Sequence, residues 1–398
     1  MVRSALPENW ILNEGTELES FGTLAEWVIP SSYAGSGTTE TEVIDGVTFL
    51  KLSNDIAGGS IARKKVIDMN MIDKGNMYID VYVHDITTLS EIRIWFSSTD
   101  NLTKLMQKSV GYALLKNGLN RIPINPQDWD FTNGELYTNT MISLAIRVIA
   151  GVGKLTSISL SNLRYGIKSK CVCMLEFDDN TSDQSLVFDF MDDLGLKGTL
   201  NVIPPSIDGI NKLTTAQLDD RYAKGWANCN HSMDATDLTT LSQTQIEANL
   251  TLATEALIAK GWTRGAYHVS YPNGGYNSDV ALAMASTGML TGRSSEKYQC
   301  LMPSDLYQLN RKTLSASISL ATAKTYVDYA EKYGLPLFLL FHTLVVAGAS
   351  GGDWLVSDYQ TLVNYIRAKK IPFLTRDEFY NGLTNPRYRS IPVSRVGI

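Results

Sequence analysis

Long hydrophobic runs are missing from this chain of 398 residues. The longest, Leu335 to Leu340, is interrupted by Pro336 and falls far short of the ~20 apolar residues of a membrane span, so membrane insertion is excluded. Positive charge is also short. Lys and Arg number 35 against 41 Asp and Glu, a net charge of -6, which is the wrong sign for gripping phosphates, so no nucleic-acid partner is expected. Cysteine is scarce: Cys171, Cys173, Cys229 and Cys300 all lie in the second half without disulfide-scaffold spacing, and they read as buried thiols. The opening Met1-Val2-Arg3-Ser4-Ala5-Leu6-Pro7 has one basic residue and no apolar segment behind it, so no secretory leader is expected. What remains is a normal globular composition, 44% hydrophobic and 19% charged, long enough for more than one domain.

Two rhythms divide that length. From about Asn9 to Gly166 apolar and polar residues alternate in short runs such as Val43 to Leu50, Met77 to Val83, Glu91 to Phe96 and Met141 to Val148. Period two with Asp45-Gly46, Gly58-Gly59 and Asn117-Gly118 as punctuation predicts half-buried antiparallel strands. Residues 1–166 are therefore expected to form an all-β sandwich.

Residues 167–398 repeat a different unit: an apolar strand, a loop, a helix and a glycine. Helix starts are predicted at Thr181-x-x-Gln184, Thr214-x-x-Gln217, Ser242-x-x-Gln245 and Ser357-x-x-Gln360, where a hydroxyl and an amide satisfy exposed backbone groups reciprocally. Gly195, Gly225, Gly261, Gly288 and Gly334 mark the ends. Strands are read at Lys170 to Phe177, Thr199 to Ile203, Ala227 to His231, Ala266 to Ser270, Met289 to Gly292, Leu335 to Phe341 and Ile371 to Thr375. Successive βα units predict an α/β barrel of parallel strands with its chemistry at their carboxyl ends.

Those ends carry Asp178-Asp179, His231-Ser232-Met233-Asp234, Ser270 to Gly274, Arg293 and His342. Neighbouring carboxylates repel unless a proton or cation intervenes, and imidazole is the commonest metal ligand. Singly, each residue is as well explained by a turn cap or a satisfied core histidine; together, on successive strand ends, they favour a site. Tyr271, Tyr276 and Trp354 are placed near the mouth, where they are expected either to stack on sugar rings or to pack at the core edge. His268 and Cys229 are read as core residues.

Phe177-Asp178-Asp179, Asn230-His231-Ser232, Tyr271-Pro272-Asn273-Gly274 and Leu337 to His342 together resemble the ordered motifs of the polysaccharide deacetylases of carbohydrate esterase family four, over roughly Lys170 to Leu383. The resemblance implies a distorted (β/α)7 barrel that removes acetyl groups from N- or O-acetylated sugars of a bacterial surface or capsular polysaccharide. It implies a divalent metal, zinc first with cobalt or nickel as alternatives. Asp178 is then the catalytic base, His342 the acid, and Asp179 and His231 the metal ligands. Tyr271, Pro272 and Asn273 bind substrate, the Asn273 N–H facing the oxyanion. Two departures stand out. Ala235 occupies the place of the family's second histidine, with Asp234 or water as substitutes. Ser270 occupies that of an arginine pairing with the base, for which Arg293 is the expected replacement. A rival reading keeps the barrel as a non-catalytic glycan-binding or virion structural protein.

Leu115 to Ile124 with Trp129 and Leu144 to Val148 is similar to carbohydrate-binding jelly-roll modules. The same two-part arrangement occurs among bacteriophage tail proteins, which implies a virion or extracellular setting and a homo-oligomer.

Overall fold

The computed structural model describes residues 11–33, 35–294 and 306–384. The chain divides into two compact units, Asn13–Lys168 and a second formed mainly by Ser169–Ile398, a boundary two residues beyond the one expected from the change of rhythm.

After the short β1 (Ile11–Asn13), the first unit contains β2 (Thr16–Glu19), β3 (Gly37–Ile44), β4 (Val47–Asn54), β5 (Ser60–Asn70), β6 (Asn76–Val83), β7 (Leu89–Ser97), β8 (Leu105–Gly111), β9 (Gly118–Ile124), β10 (Asp130–Thr132), β11 (Thr140–Ala150) and β12 (Ser157–Ser169). One sheet runs β3-β4-β12-β6-β9 and the other β10-β8-β7-β11-β5, and neighbouring strands along both orders are antiparallel. The Asp45-Gly46 signal becomes the two-residue turn between β3 and β4, with both residues at positive φ as a twist-matched hairpin requires. Alternation explains the core. Leu50, Leu52, Ile79, Val81, Ile158 and Leu160 from the first sheet meet Ile92, Ile94, Phe96, Leu144, Ile146 and Val148 from the second in one cluster, while the residues between them turn outward.

The second unit contains β13 (Cys173–Asp178), α1 (Phe188–Asp193), β14 (Thr199–Val202), α2 (Thr215–Ala223), β15 (Ala227–Asn230), α3 (Gln243–Ala259), β16 (His268–Ser270), α4 (Ser278–Ser286), β17 (Thr291–Arg293), β18 (Lys312–Leu314), α5 (Leu320–Tyr333), β19 (Leu337–Phe341), β20 (Thr343–Val345), β21 (Asp353–Leu355), α6 (Val356–Ala368) and α7 (Arg376–Thr384). Its main sheet has seven strands, all parallel, in the order β17-β16-β15-β14-β13-β19-β18. Leu309 exchanges backbone hydrogen bonds with Gly292 and Ser294 at 2.8 and 2.9 Å. Lys312 to Leu314 meanwhile pair with β19 at the other edge of the sheet. One short segment thus touches both edges, and the sheet curls round on itself.

The seventh strand differs from expectation. Ile371 to Thr375 make only a single bridge, Phe373 to Cys173, because Pro372 lacks an N–H and interrupts the ladder. Lys312–Leu314 supply the strand instead. Two predicted helix starts also differ. The boxes at Thr214/Gln217 and Ser242/Gln245 form reciprocally, but Ser357 lies inside α6, which begins at Val356. Gln184 turns its amide to the carbonyls of Asp178 and His342 instead of capping. Gly195, Gly225, Gly261, Gly288 and Gly334 all take positive φ beyond their helices, as helix-stopping residues do.

Strand alternation sorts β13 into two faces. Cys173, Leu175 and Phe177 join the core packed beneath the helices. Met174, Glu176 and Asp178 point into the ring. The interior is layered: Met174, Phe338, Leu309 and Phe379 make an apolar floor, charged side chains fill the middle, and Asp178 with His231 stands at the carboxyl ends of the strands.

Candidate active site

Asp178 ends β13, and the chain must leave the sheet sharply there. Asp179 and Asn180 both adopt positive φ, as does Ser232 beside His231. For residues with a Cβ this conformation is uncommon and clusters at functional sites. The turns bring His231 Nε2 to 3.4 Å from Asp179 Oδ1 and 3.8 Å from Asp178 Oδ2. His231 Nδ1 lies 2.7 Å from the carbonyl oxygen of Ser270. That oxygen only accepts, so Nδ1 carries the donated proton; in the neutral ring Nε2 turns a lone pair to the two carboxylates, and in the protonated ring it donates to them. Three acceptors facing one another require a proton or a cation between them.

Asp178 is anchored from its other side. Its Oδ1 accepts from Arg293 NH2 at 2.5 Å and from Asn201 Nδ2 at 2.8 Å. Burial alone would raise its pKa, but Arg293, then His231, hold it far below the usual carboxylate range, so Asp178 is ionised. Hydrogen bonding from His231 lowers Asp179 against the opposing effect of burial. Burial pulls the His231 imidazole down, yet Asp178 and Asp179 outweigh it and the net displacement is upward. His342 shifts the other way. Burial lowers it, Asp178 and Asp179 oppose, and Arg311 and Arg293 add to the lowering.

One imidazole lone pair and one partly exposed carboxylate beside an ionised second are donors of the kind a divalent cation takes, and Asp179 and His231 could supply two of its ligands. A third protein ligand is lacking: among the described residues no group of three or more His, Cys, Asp or Glu side chains is arranged to hold a metal ion. Asp234, offered with water as a substitute at the Ala235 gap, accepts from the N–H of Thr236 at 2.9 Å.

Residues 166–292 match the family model for polysaccharide deacetylase. The curated Bacillus subtilis protein YxkH, described as a polysaccharide deacetylase, is 25% identical over 160 residues, 40% of this chain. The match spans 57% of that relative's length. Among solved structures, a family 4 acetyl xylan esterase from Clostridium thermocellum with a cobalt ion is similar at 15% identity and a TM-score of 0.37, covering 53% of this chain and 90% of that one. A family 11 carbohydrate-binding module from Clostridium thermocellum, in complex with a mixed-linked tetrasaccharide, is similar at 12% identity and a TM-score of 0.30, covering 39% of this chain and 94% of that one.

The strand ends bring Asp178, Asp179 and His231, within the matched residues, together with Arg293, one residue beyond them. His342 follows β19, and its backbone carbonyl is pinned by Thr181 Oγ1 and Gln184 Nε2, both at 3.0 Å. Of the two readings of the aromatic residues, packing fits Tyr271 and Trp354. Tyr271 is 0% and Trp354 2% exposed, so neither offers a face to a sugar. Pairing of β20 with β21 lays Trp354 against Phe341, with the indole N–H donating to the Ile318 carbonyl at 2.9 Å. The Tyr271 hydroxyl donates to the Tyr307 carbonyl at 2.8 Å. Pro272 is buried, while Asn273 is exposed in the left-handed region, its amide donating to the Ala235 carbonyl at 3.2 Å. His268 is a buried residue bonded to Thr291. Burial raises the thiols of Cys171, Cys173 and Cys229, and Cys300 lies outside the described residues.

Sequence reading missed Glu176, Asn201, Arg311 and Arg376. Glu176 did carry a signal, since a carboxylate inside the apolar run Cys173 to Phe177 is expensive to bury without a partner. Arg376 carried none, because its contact with Glu176 spans 200 positions.

Proposed function

We propose that the second unit is a metal-assisted hydrolase that removes acetyl groups from an acetylated polysaccharide. The observation that carries the reading is the convergence of Asp178, Asp179 and the Nε2 lone pair of His231 at the strand ends of a region matching the deacetylase family. Asp179 and His231 would hold the cation, zinc first, with cobalt or nickel able to replace it. When bound, such an ion makes a nearby water more acidic and draws charge from the acetyl carbonyl oxygen. Asp178, kept ionised by Arg293, takes the proton from the attacking water. The Asn273 N–H donates to the oxygen that becomes negative. His342 in its protonated form gives a proton to the departing amine or alkoxide. The products are acetate and the free amino or hydroxyl sugar.

The first unit suits a glycan-holding or spacer role, read as a jelly-roll-like β-sandwich. The proposed setting is extracellular or on a virion tail, as a homo-oligomer. Acetate release from N- and O-acetylated glycans, measured before chelation, after chelation and after zinc is restored, tests the activity. Release abolished by chelator and recovered with zinc is expected; a rate indifferent to chelator overturns the metal-assisted reading. Ala235 in place of a ligand favours a second reading, a glycan-binding protein without catalysis. Tight polymer binding with no acetate release from any glycan would establish it.

A further inference from the structure

We infer that Glu176 and Arg376 are positioning residues that act on the reaction through Arg293, setting which oxygen of Asp178 is left to work; the role in turnover rests on the deacetylase reading. Glu176 and Asp178 lie two residues apart on the inward face of β13 and share one guanidinium. Arg293 sends Nε to Glu176 Oε2 at 2.5 Å and NH2 to Asp178 Oδ1 at 2.5 Å. Arg376, the first residue of α7, grips Glu176 with Nε on Oε1 at 2.7 Å and NH2 on Oε2 at 2.5 Å. Arg376 is itself fixed, its N–H donating to Thr199 Oγ1 at 3.0 Å. Glu176, Arg293 and Arg376 are all 0% exposed. The result is a buried chain, Arg376 to Glu176 to Arg293 to Asp178, in which two cations and two anions alternate.

Room for the chain comes from Ser270. Its small side chain accepts from Arg293 Nε at 3.2 Å, so a guanidinium rooted on β17 passes in front of β16 and arrives at Asp178. With Oδ1 occupied by Arg293 and Asn201, Oδ2 remains on the side of His231. Glu176 is the only carboxylate apart from Asp178 in an ion pair with Arg293 among the described residues. Without Glu176, the Arg293 Nε loses its ion-pair partner and keeps only the Ser270 hydroxyl, so one of the two carboxylates that orient the guanidinium is gone and the tether on Asp178 loosens. A purely structural ion pair behaves otherwise: a buried pair exchanged for apolar side chains of similar volume is often neutral in stability, and it would leave the rate alone.

The test uses the full chain and three proteins: wild type, the double variant Glu176→Met/Arg376→Met, and Arg376→Lys. Crystal structures report whether Arg293 stays on Asp178. Kinetics on 4-nitrophenyl acetate and on an acetylated glycan report kcat and KM separately. The double variant is expected to melt close to wild type, to show Arg293 displaced from Asp178, and to lose about tenfold to hundredfold in kcat with KM little changed, the scale of a misplacement near 1 Å. Arg376→Lys keeps a cation beside Glu176 and is expected to retain most of kcat. Arg293 still seated on Asp178 in the double variant, or kcat preserved along with the melting temperature, overturns the inference. A wild-type protein that releases no acetate overturns the deacetylase reading and the role in turnover, while the crystal structures separately decide the positioning of Arg293.

Discussion

His231 donates its Nδ1 proton to the carbonyl oxygen of Ser270 across 2.7 Å. That bond fixes the ring and the tautomer, so in the neutral ring the other nitrogen meets Asp178 and Asp179 as an acceptor. A metal and a proton therefore compete for one lone pair.

The competition predicts how metal binding depends on pH. The two carboxylates hold the His231 imidazole above its ordinary value, against burial, so the proton to be displaced is still present somewhat above pH ~6.5. Zinc or cobalt affinity measured by calorimetry should fall about tenfold per pH unit once the pH drops below that raised value. His231→Ala should abolish binding in the same titration. Affinity independent of pH between 8 and 5.5 would contradict the assignment.

His342 gives a kinetic prediction of opposite sense. Burial moves its pKa below the ordinary imidazole value despite Asp178 and Asp179, and Arg311 and Arg293 deepen the displacement. An acid with a lowered pKa is fully protonated only at lower pH. The rate should decline on the basic side from below pH ~6.5. His342→Ala should lower kcat by about 10²–10⁴-fold and remove that limb. A pH–rate profile of both proteins checks it.

Trp354 separates a packing role from a sugar-binding one. Its indole is buried against Phe341 and bonded to the Ile318 carbonyl. Trp354→Ala should destabilise the protein by about 3–5 kcal/mol in urea unfolding. Any of it that remains folded should bind glycan with unchanged affinity.

The contrast between Trp354 and Asp178 shows what the chain made legible. Strand ends and helix-stopping glycines could be read because periodicity is local, and motif spacing singled out Asp178, Asp179 and His231, which the structure brings together, His231 Nε2 lying 3.8 and 3.4 Å from the two carboxylates. Arg293 was placed as a substitute cation from its strand alone, and the structure brings its guanidinium to Asp178. Side-chain direction beyond the sheet was not legible. Trp354 turns inward because β21 pairs with β20, and Lys312–Leu314 become a strand because β19 offers an edge, both long-range events. The failed box at Ser357 has a local cause: Leu355 already supplies the helix entry, so the hydroxyl sits two residues too late.

Gly292 predicts a steric effect close to the site. A Cβ there would overlap the buried hydroxyl of Tyr271 and press on the Tyr307 carbonyl. Gly292→Ala should cost about 1–3 kcal/mol by overpacking, and the strain falls beside Arg293. A melting temperature unchanged by Gly292→Ala would show that Tyr271 can yield.

The segment from Leu309 to Leu314 also has a bearing on how the molecule behaves in company. Parallel sheets with free margins invite a foreign strand to lie alongside. Here one short stave belongs to both margins at once, bonded to Gly292 and Ser294 by Leu309 and to β19 by its last residues. The ring is sealed by the chain's own backbone, and a neighbouring molecule finds no ladder to extend at that seam.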